Sequence, residues 1–185
     1  MKPHGPWKIK TSDSVYVDAF IAVRLDQVLR PDGNDGQHVV VNLKPGVCVI
    51  AIDEKNCLHL TKEFHYGIGR DSIEGVSGGI ERGDDPLATA KRELQEEIGL
   101  HAEVWEDHGT VDPFTTVVVS PTRLYMARGL CDIARSPEGT EVIEKVVLPM
   151  ETALAQVVSG EITHAPTCVL ILKAALASRG SASLV

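Results

Sequence analysis

Three glutamates crowd a short stretch of this sequence, Glu93, Glu96 and Glu97 in Arg92-Glu93-Leu94-Gln95-Glu96-Glu97-Ile98-Gly99. On a helix, residues three and four apart share a face, so Glu93 meets both Glu96 and Glu97. Like charges at that spacing repel, and acids near a helix C-terminus oppose its dipole. Selection for stability alone would avoid the arrangement. A hard divalent cation resolves the conflict, because Mg2+ and Mn2+ prefer carboxylate oxygen and water. Arg92 stands beside the cluster, in reach to orient one carboxylate through charge-assisted hydrogen bonds. The bland alternative is a solvated acidic face, which is what most acidic helices present.

The flanking residues predict the helix itself. Asp84-Asp85-Pro86 supplies an acidic N-cap and a first-turn proline, which satisfy or remove orphan N–H groups. Leu87, Ala90, Leu94 and Ile98 recur at helical spacing as one apolar face, and Gly99 is a natural stop. A glycine-rich loop, residues 67–83, leads in. Upstream, residues 15–17, 19–25, 37–43, 47–52 and 57–64 read as a strand meander, with a turn over 31–36. Downstream, strand-like segments return at 102–111, 123–130 and 141–148, and helices are expected over 151–159 and 166–177. The tail from Ser178 is small and polar and is expected to fray. The class is α+β, a mixed sheet with helices packed on it.

Composition narrows the functions. The 185 residues suit one domain of ordinary size or a compact domain with a small extension. Hydrophobic content of 43% excludes disorder as the default, and only 4% aromatics makes Val, Leu, Ile and Ala the core. A net charge of −8 argues against nucleic-acid binding, which needs a basic face. It does not argue against an anionic small molecule, because a bound cation reverses the local field. Cys48, Cys57, Cys131 and Cys168 have no metal-like spacing and read as reduced thiols. No secretory signal opens the chain and no apolar run approaches about 18 residues, so a cytoplasmic protein without a membrane span is expected.

With its lead-in, the stretch Gly78-Gly79-Ile80-Glu81-Arg82-Gly83-Asp84 through Leu100 resembles the Nudix box, G-x5-E-x7-R-E-U-x-E-E-x-G-U with U aliphatic. Gly78, Arg92, Glu93, Leu94, Glu96, Glu97, Gly99 and Leu100 all match. Chance agreement at those positions in a chain of ordinary composition is on the order of one in a million. Asp84 stands where the pattern has glutamate, and its shorter arm suggests capping or a water-mediated reach.

The resemblance implies a Nudix-type α/β/α sandwich with a mixed sheet, preceded by an N-terminal antiparallel β extension. The expected division is 1–43 for the extension, 44–178 for the hydrolase domain and 179–185 for a flexible tail. It implies a hydrolase that cleaves a diphosphate bond in a nucleoside diphosphate derivative, using water and Mg2+ or Mn2+. Ser77, Glu81, Glu93, Glu96 and Glu97 are the implied metal ligands. Arg92 and Glu93 belong to the catalytic set, with Glu141 as the base ahead of Glu138 and Glu144. Beyond the box, residues 7–43, 58–66, 74–78 and 147–151 are similar to the ADP-ribose pyrophosphatase branch. That branch implies ADP-ribose as substrate and a homodimer joined through N-terminal strands. His65, Tyr66, Arg70, Glu74 and Phe114 are the implied substrate contacts. After the box the branch carries an acidic loop, where this chain has Pro113 but valines at 117–119. Another nucleotide sugar, a dinucleotide or a free nucleotide are the alternative substrates. A catalytically silent nucleotide-binding module is the alternative from another class.

Overall fold

A computed structural model describes residues 1–135 and 142–182. It divides into two units, Met1–Pro45 with Asp112–Pro121, and Gly46–Val111 with Thr122–Val185.

The first unit is one five-stranded sheet. Strands β1 (Lys2–His4), β2 (Trp7–Val17), β3 (Ile21–Leu29) and β4 (Asp35–Leu43) form an antiparallel meander. The short β10 (Val118–Val119) pairs parallel to β4 and completes the order β1-β2-β3-β4-β10. The valine run after the box thus joins the N-terminal strands rather than a loop of the larger unit. The β3–β4 turn closes through the Gly33 N–H to the Arg30 carbonyl at 3.0 Å, with Gly33 at φ 84° where a glycine costs least. Strand β2 is far longer than its three-residue apolar core at 15–17 suggests. Its pairing to β3 supports it along most of its length, although its side chains are largely exposed.

The second unit is built around β5 (Gly46–Ile52), β6 (Cys57–His65), β7 (Arg70–Glu74), β8 (Val76–Gly79), β9 (Leu100–Val111), β11 (Thr122–Asp132) and β12 (Glu144–Pro149). The main path runs β12-β6-β5-β11-β9, with β7 paired to β6 and β8 to β5. Among the described residues, only β5 and β11 run parallel within it. Helix α1 (Pro86–Ile98) covers one face; α2 (Met150–Ser159) and α3 (Ala165–Ala182) cover the other.

Residues 47–52 of β5 are buried on both sides, which is why that run is continuously apolar rather than alternating. Val47, Val49 and Ala51 pack with Ala90, Leu94 and Ile98 of α1. Cys48, Ile50 and Ile52 pack with Ala153, Leu170, Ile171 and Ala174 of the other layer. The arrangement is the expected α/β/α sandwich with a mixed sheet.

Two local expectations change. The glycine-rich lead-in is not all loop, because β7 and β8 lie within it. Helix α3 continues to Ala182, past the expected end at Ala177. Among the described residues, no helix is long and apolar enough to cross a membrane. All four cysteines are free thiols, and burial pushes the Cys48 thiol up to about 12.

Candidate active site

Helix α1 is held at both ends, and this fixes the direction of its acids. Asp85 is the N-cap, its carboxylate accepting the Ala88 N–H at 3.0 Å, and Pro86 needs no partner for a missing N–H. At the other end Gly99 is left-handed at φ 63°, ψ 41°, and its N–H returns to the Gln95 carbonyl at 3.0 Å. The apolar face buries Ala90, Leu94 and Ile98. With that face committed to the sheet, Glu93 and Glu97 turn toward β8.

There the fit is close. Glu93 lies directly over Gly78: a Cβ at that glycine would sit 2.2 Å from the Glu93 Cδ. Any side chain at position 78 would take the space of the carboxylate. Glu97 is only 8% exposed, and the Ser77 N–H donates to its Oε1 at 3.4 Å. Ser77 Oγ in turn donates to the Gly75 carbonyl at 2.8 Å.

Arg92 organises the exposed side of the cluster. Its Nη2 donates to Glu93 Oε1 at 3.0 Å, while Nε lies 3.6 Å from Glu96 Oε2 and Nη1 3.8 Å from Asp84 Oδ2. The hydrogen bond to Glu93, aided by the nearby charges of Glu93, Glu96 and Asp84, raises the Arg92 pKa above its ordinary value. The guanidinium is therefore a fixed positive charge. Asp84 is not the cap; its carboxylate faces Arg92, and Asp85 does the capping. Glu81 is exposed in the turn before the helix, where its carbonyl accepts the Asp84 N–H at 3.0 Å.

Three carboxylates, those of Asp84, Glu93 and Glu96, face one guanidinium. Among the described residues, no three His, Cys, Asp or Glu side chains converge tightly enough to enclose an ion as they stand. Glu93 and Glu96 are turned to Arg92, and Glu97 to Ser77. Hard oxygen donors in excess over their cationic partner nonetheless fit Mg2+ or Mn2+ and suit no thiophilic metal.

A second cluster forms where β6, β7 and the start of α3 meet. The two oxygens of Glu74 are shared between His65 Nε2 and His164 Nδ1, each at 3.2 Å. His164 Nδ1 is also 2.8 Å from Thr167 Oγ1, which accepts the Gly75 N–H at 2.7 Å. Burial lowers the His164 pKa, with the Glu74 carboxylate opposing and the nearby His65 reinforcing the shift. Arg70 donates through Nη2 to Thr163 Oγ1 at 2.8 Å, just before α3.

The expected substrate contacts therefore separate. His65 and Glu74 come together, Arg70 docks beside α3, and Tyr66 stands 95% exposed at the β6–β7 turn. Phe114 is exposed and belongs to the N-terminal unit. Glu138 and Glu141 lie outside the described residues. Glu144 opens β12 opposite Lys62 and is exposed. Arg123 of β11 is hydrogen-bonded to Asp107.

Sequence reasoning missed His164 and Thr167. They lie some ninety residues from Glu74 along the chain, and no local pattern marks either one. It also missed a cavity of about 490 Å3 within the N-terminal unit, lined in part by Trp7, Arg24, Asp26 and His38. The Trp7 and His38 rings lie 5.9 Å apart there.

Comparison with known proteins identifies the family. A family model described as the NUDIX domain matches residues 42–162. The chain belongs to the Nudix family. It resembles that family's ADP-ribose pyrophosphatase branch. An ADP-ribose pyrophosphatase of Mycobacterium tuberculosis is 29% identical over 83% of this chain and 76% of its own length. A methanol dehydrogenase activator of Bacillus methanolicus is 26% identical over 88% and 89%. In fold, the chain is similar to a crystal structure of an ADP compounds hydrolase, with a TM-score of 0.76 at 17% identity. That match covers 97% of this chain and 99% of the other.

Proposed function

We propose that this protein hydrolyses the diphosphate bond of a nucleoside diphosphate derivative, with ADP-ribose cut to AMP and ribose 5-phosphate. The observation that carries the reading is the acidic end of α1, where Glu93 lies on Gly78, Glu97 is buried against Ser77 and Arg92 spans Glu93 and Glu96. Glu93, Glu96 and Glu97 would hold Mg2+ or Mn2+, with Ser77 and Glu81 as further oxygen donors. When bound, the cation supplies charge neutralisation at the diphosphate and a more acidic water.

The chain's own residues do the rest. Arg92 aims Glu93 and Glu96. The buried face of α1 prevents the carboxylates from drifting, so in-line attack is a matter of positioning. Glu141 is the proposed base: it takes the proton as the water oxygen bonds to phosphorus and the bridging P–O bond breaks. His65, Arg70 and Glu74 are proposed to meet the substrate, with Tyr66 and Phe114 offered for stacking. The exposed apolar side chains of Val15, Tyr16, Val17 and Phe20 support a homodimer joined through the N-terminal strands.

Substrate choice is tested by product analysis on a panel of ADP-ribose, a second nucleotide sugar, a dinucleotide and a free nucleotide. AMP with ribose 5-phosphate as the fastest-formed products is the expected result. Preference for another member would keep the chemistry and reassign the substrate.

A further inference from the structure

Helix α1 ends with an electrostatic problem that its own Arg92 solves only in part. Its last turns carry Glu93, Glu96 and Glu97, and no basic residue stands in the last turn. The negative end of the dipole and the acids therefore add. The compensating charge comes from the segment that follows β11. Arg135 Nε donates to the Glu96 carbonyl at 3.3 Å, and its Nη2 donates to the Ile143 carbonyl at 3.0 Å. Beside it, the Ile133 N–H donates to the Gly99 carbonyl at 2.9 Å. A Cβ at Gly99 would lie 3.0 Å from the Ile133 carbonyl oxygen and 3.4 Å from Arg135 Cβ, so the segment is pressed onto the helix cap.

We propose that Arg135 is a positioning residue for the acidic cluster, clasping the last turn of α1 to the chain entering β12. Its hydrogen bonds go to backbone carbonyls, so it acts through the helix rather than on a carboxylate. The clasp fixes the rotation of the turn that carries Glu96 and Glu97, and with it the approach of Glu97 to Ser77. Arginine suits the task because its planar fork donates in two directions at once, whereas lysine is a point charge. The inference rests on the reading that these glutamates hold a divalent cation.

Charge and geometry predict opposite signs here. If Arg135 mattered only as a cation near acids, its loss would tighten Mn2+ binding; if it is a clasp, its loss weakens it. The test uses the full chain as wild type, Arg135→Ala and Arg135→Lys. Mn2+ affinity is measured by paramagnetic resonance without substrate, and kcat and KM are measured separately. Both variants are expected to lose about tenfold in Mn2+ affinity and in kcat, with KM for substrate within about twofold of wild type. Amide exchange over 96–99 should quicken in both. Wild-type affinity in Arg135→Lys, or tighter binding in either variant, would overturn the clasp. Should the wild type itself bind no Mn2+, the cation reading fails; unchanged amide exchange in both variants would then overturn the clasp as well.

Discussion

Gly78 and Glu93 compete for one volume, and that competition makes a sharp prediction. In Gly78→Ala the new methyl group would meet the Glu93 carboxylate, the movable end of a flexible side chain. Stability should change by about 1 kcal/mol or less, because the carboxylate can swing away. Turnover should fall on the order of 100-fold, because displacement of a reacting group by about an ångström is enough. A large drop in melting temperature with activity retained would contradict the packing. Glu97→Gln is the complementary change. It keeps the volume of a nearly buried side chain and removes its charge. A loss on the order of 100-fold in kcat is expected, with an unchanged circular dichroism spectrum. Near-normal turnover would remove Glu97 from the ligand set. At this scale the box was readable because most of its matching residues lie on one helix, where spacing alone dictates who faces whom. Arg135, His164 and Thr167 were not readable, since each reaches its partner across the fold.

At the scale of elements, helix α1 followed its pattern because caps, periodicity and burial agree on one answer. Strands β7 and β8 escaped notice because they are short, glycines flank the first and make up half of the second, and their support is pairing to β6 and β5, which no local propensity reports. Their pairing builds the joint where β7 delivers Glu74 to His65 and His164. That joint should titrate. The His164 imidazole is held below its ordinary value of 6.5 by burial, so the folded protein binds this proton less readily than the unfolded chain does. The sign follows from linkage: His164 costs nothing above its ordinary value, and stability drains as pH falls below it, levelling off under the folded value. The groups facing it, the Glu74 carboxylate and the His65 ring, pull in opposite directions. Melting temperature should therefore fall between about pH 7 and pH 5, and His164→Gln should flatten the fall. An equally steep fall in the variant would exonerate His164.

At the scale of the molecule, two units carry different kinds of surface. The larger unit buries both faces of its sheet under helices. The N-terminal unit has no helix and leaves Val15, Tyr16, Val17 and Phe20 more than half exposed. Its strands were partly readable from alternation and turn residues, but the recruitment of residues 118–119 was not. Only a parallel contact with β4, distant in sequence, makes a strand of two valines. Light scattering should give about twice the 20.0 kDa chain mass, and Phe20→Asp should shift it toward the monomer. A monomeric wild type would remove the dimer from the account.

On the function proposed above, carboxylates at the end of α1 make diphosphate hydrolysis depend on a divalent cation. The most direct measurement is ADP-ribose turnover by the purified protein with Mg2+ or Mn2+, after addition of EDTA and after restoring excess metal. AMP and ribose 5-phosphate are expected with metal, no turnover under EDTA, and recovery on readdition. Turnover that persists under EDTA, or fails with either metal on every diphosphate tried, would contradict that function.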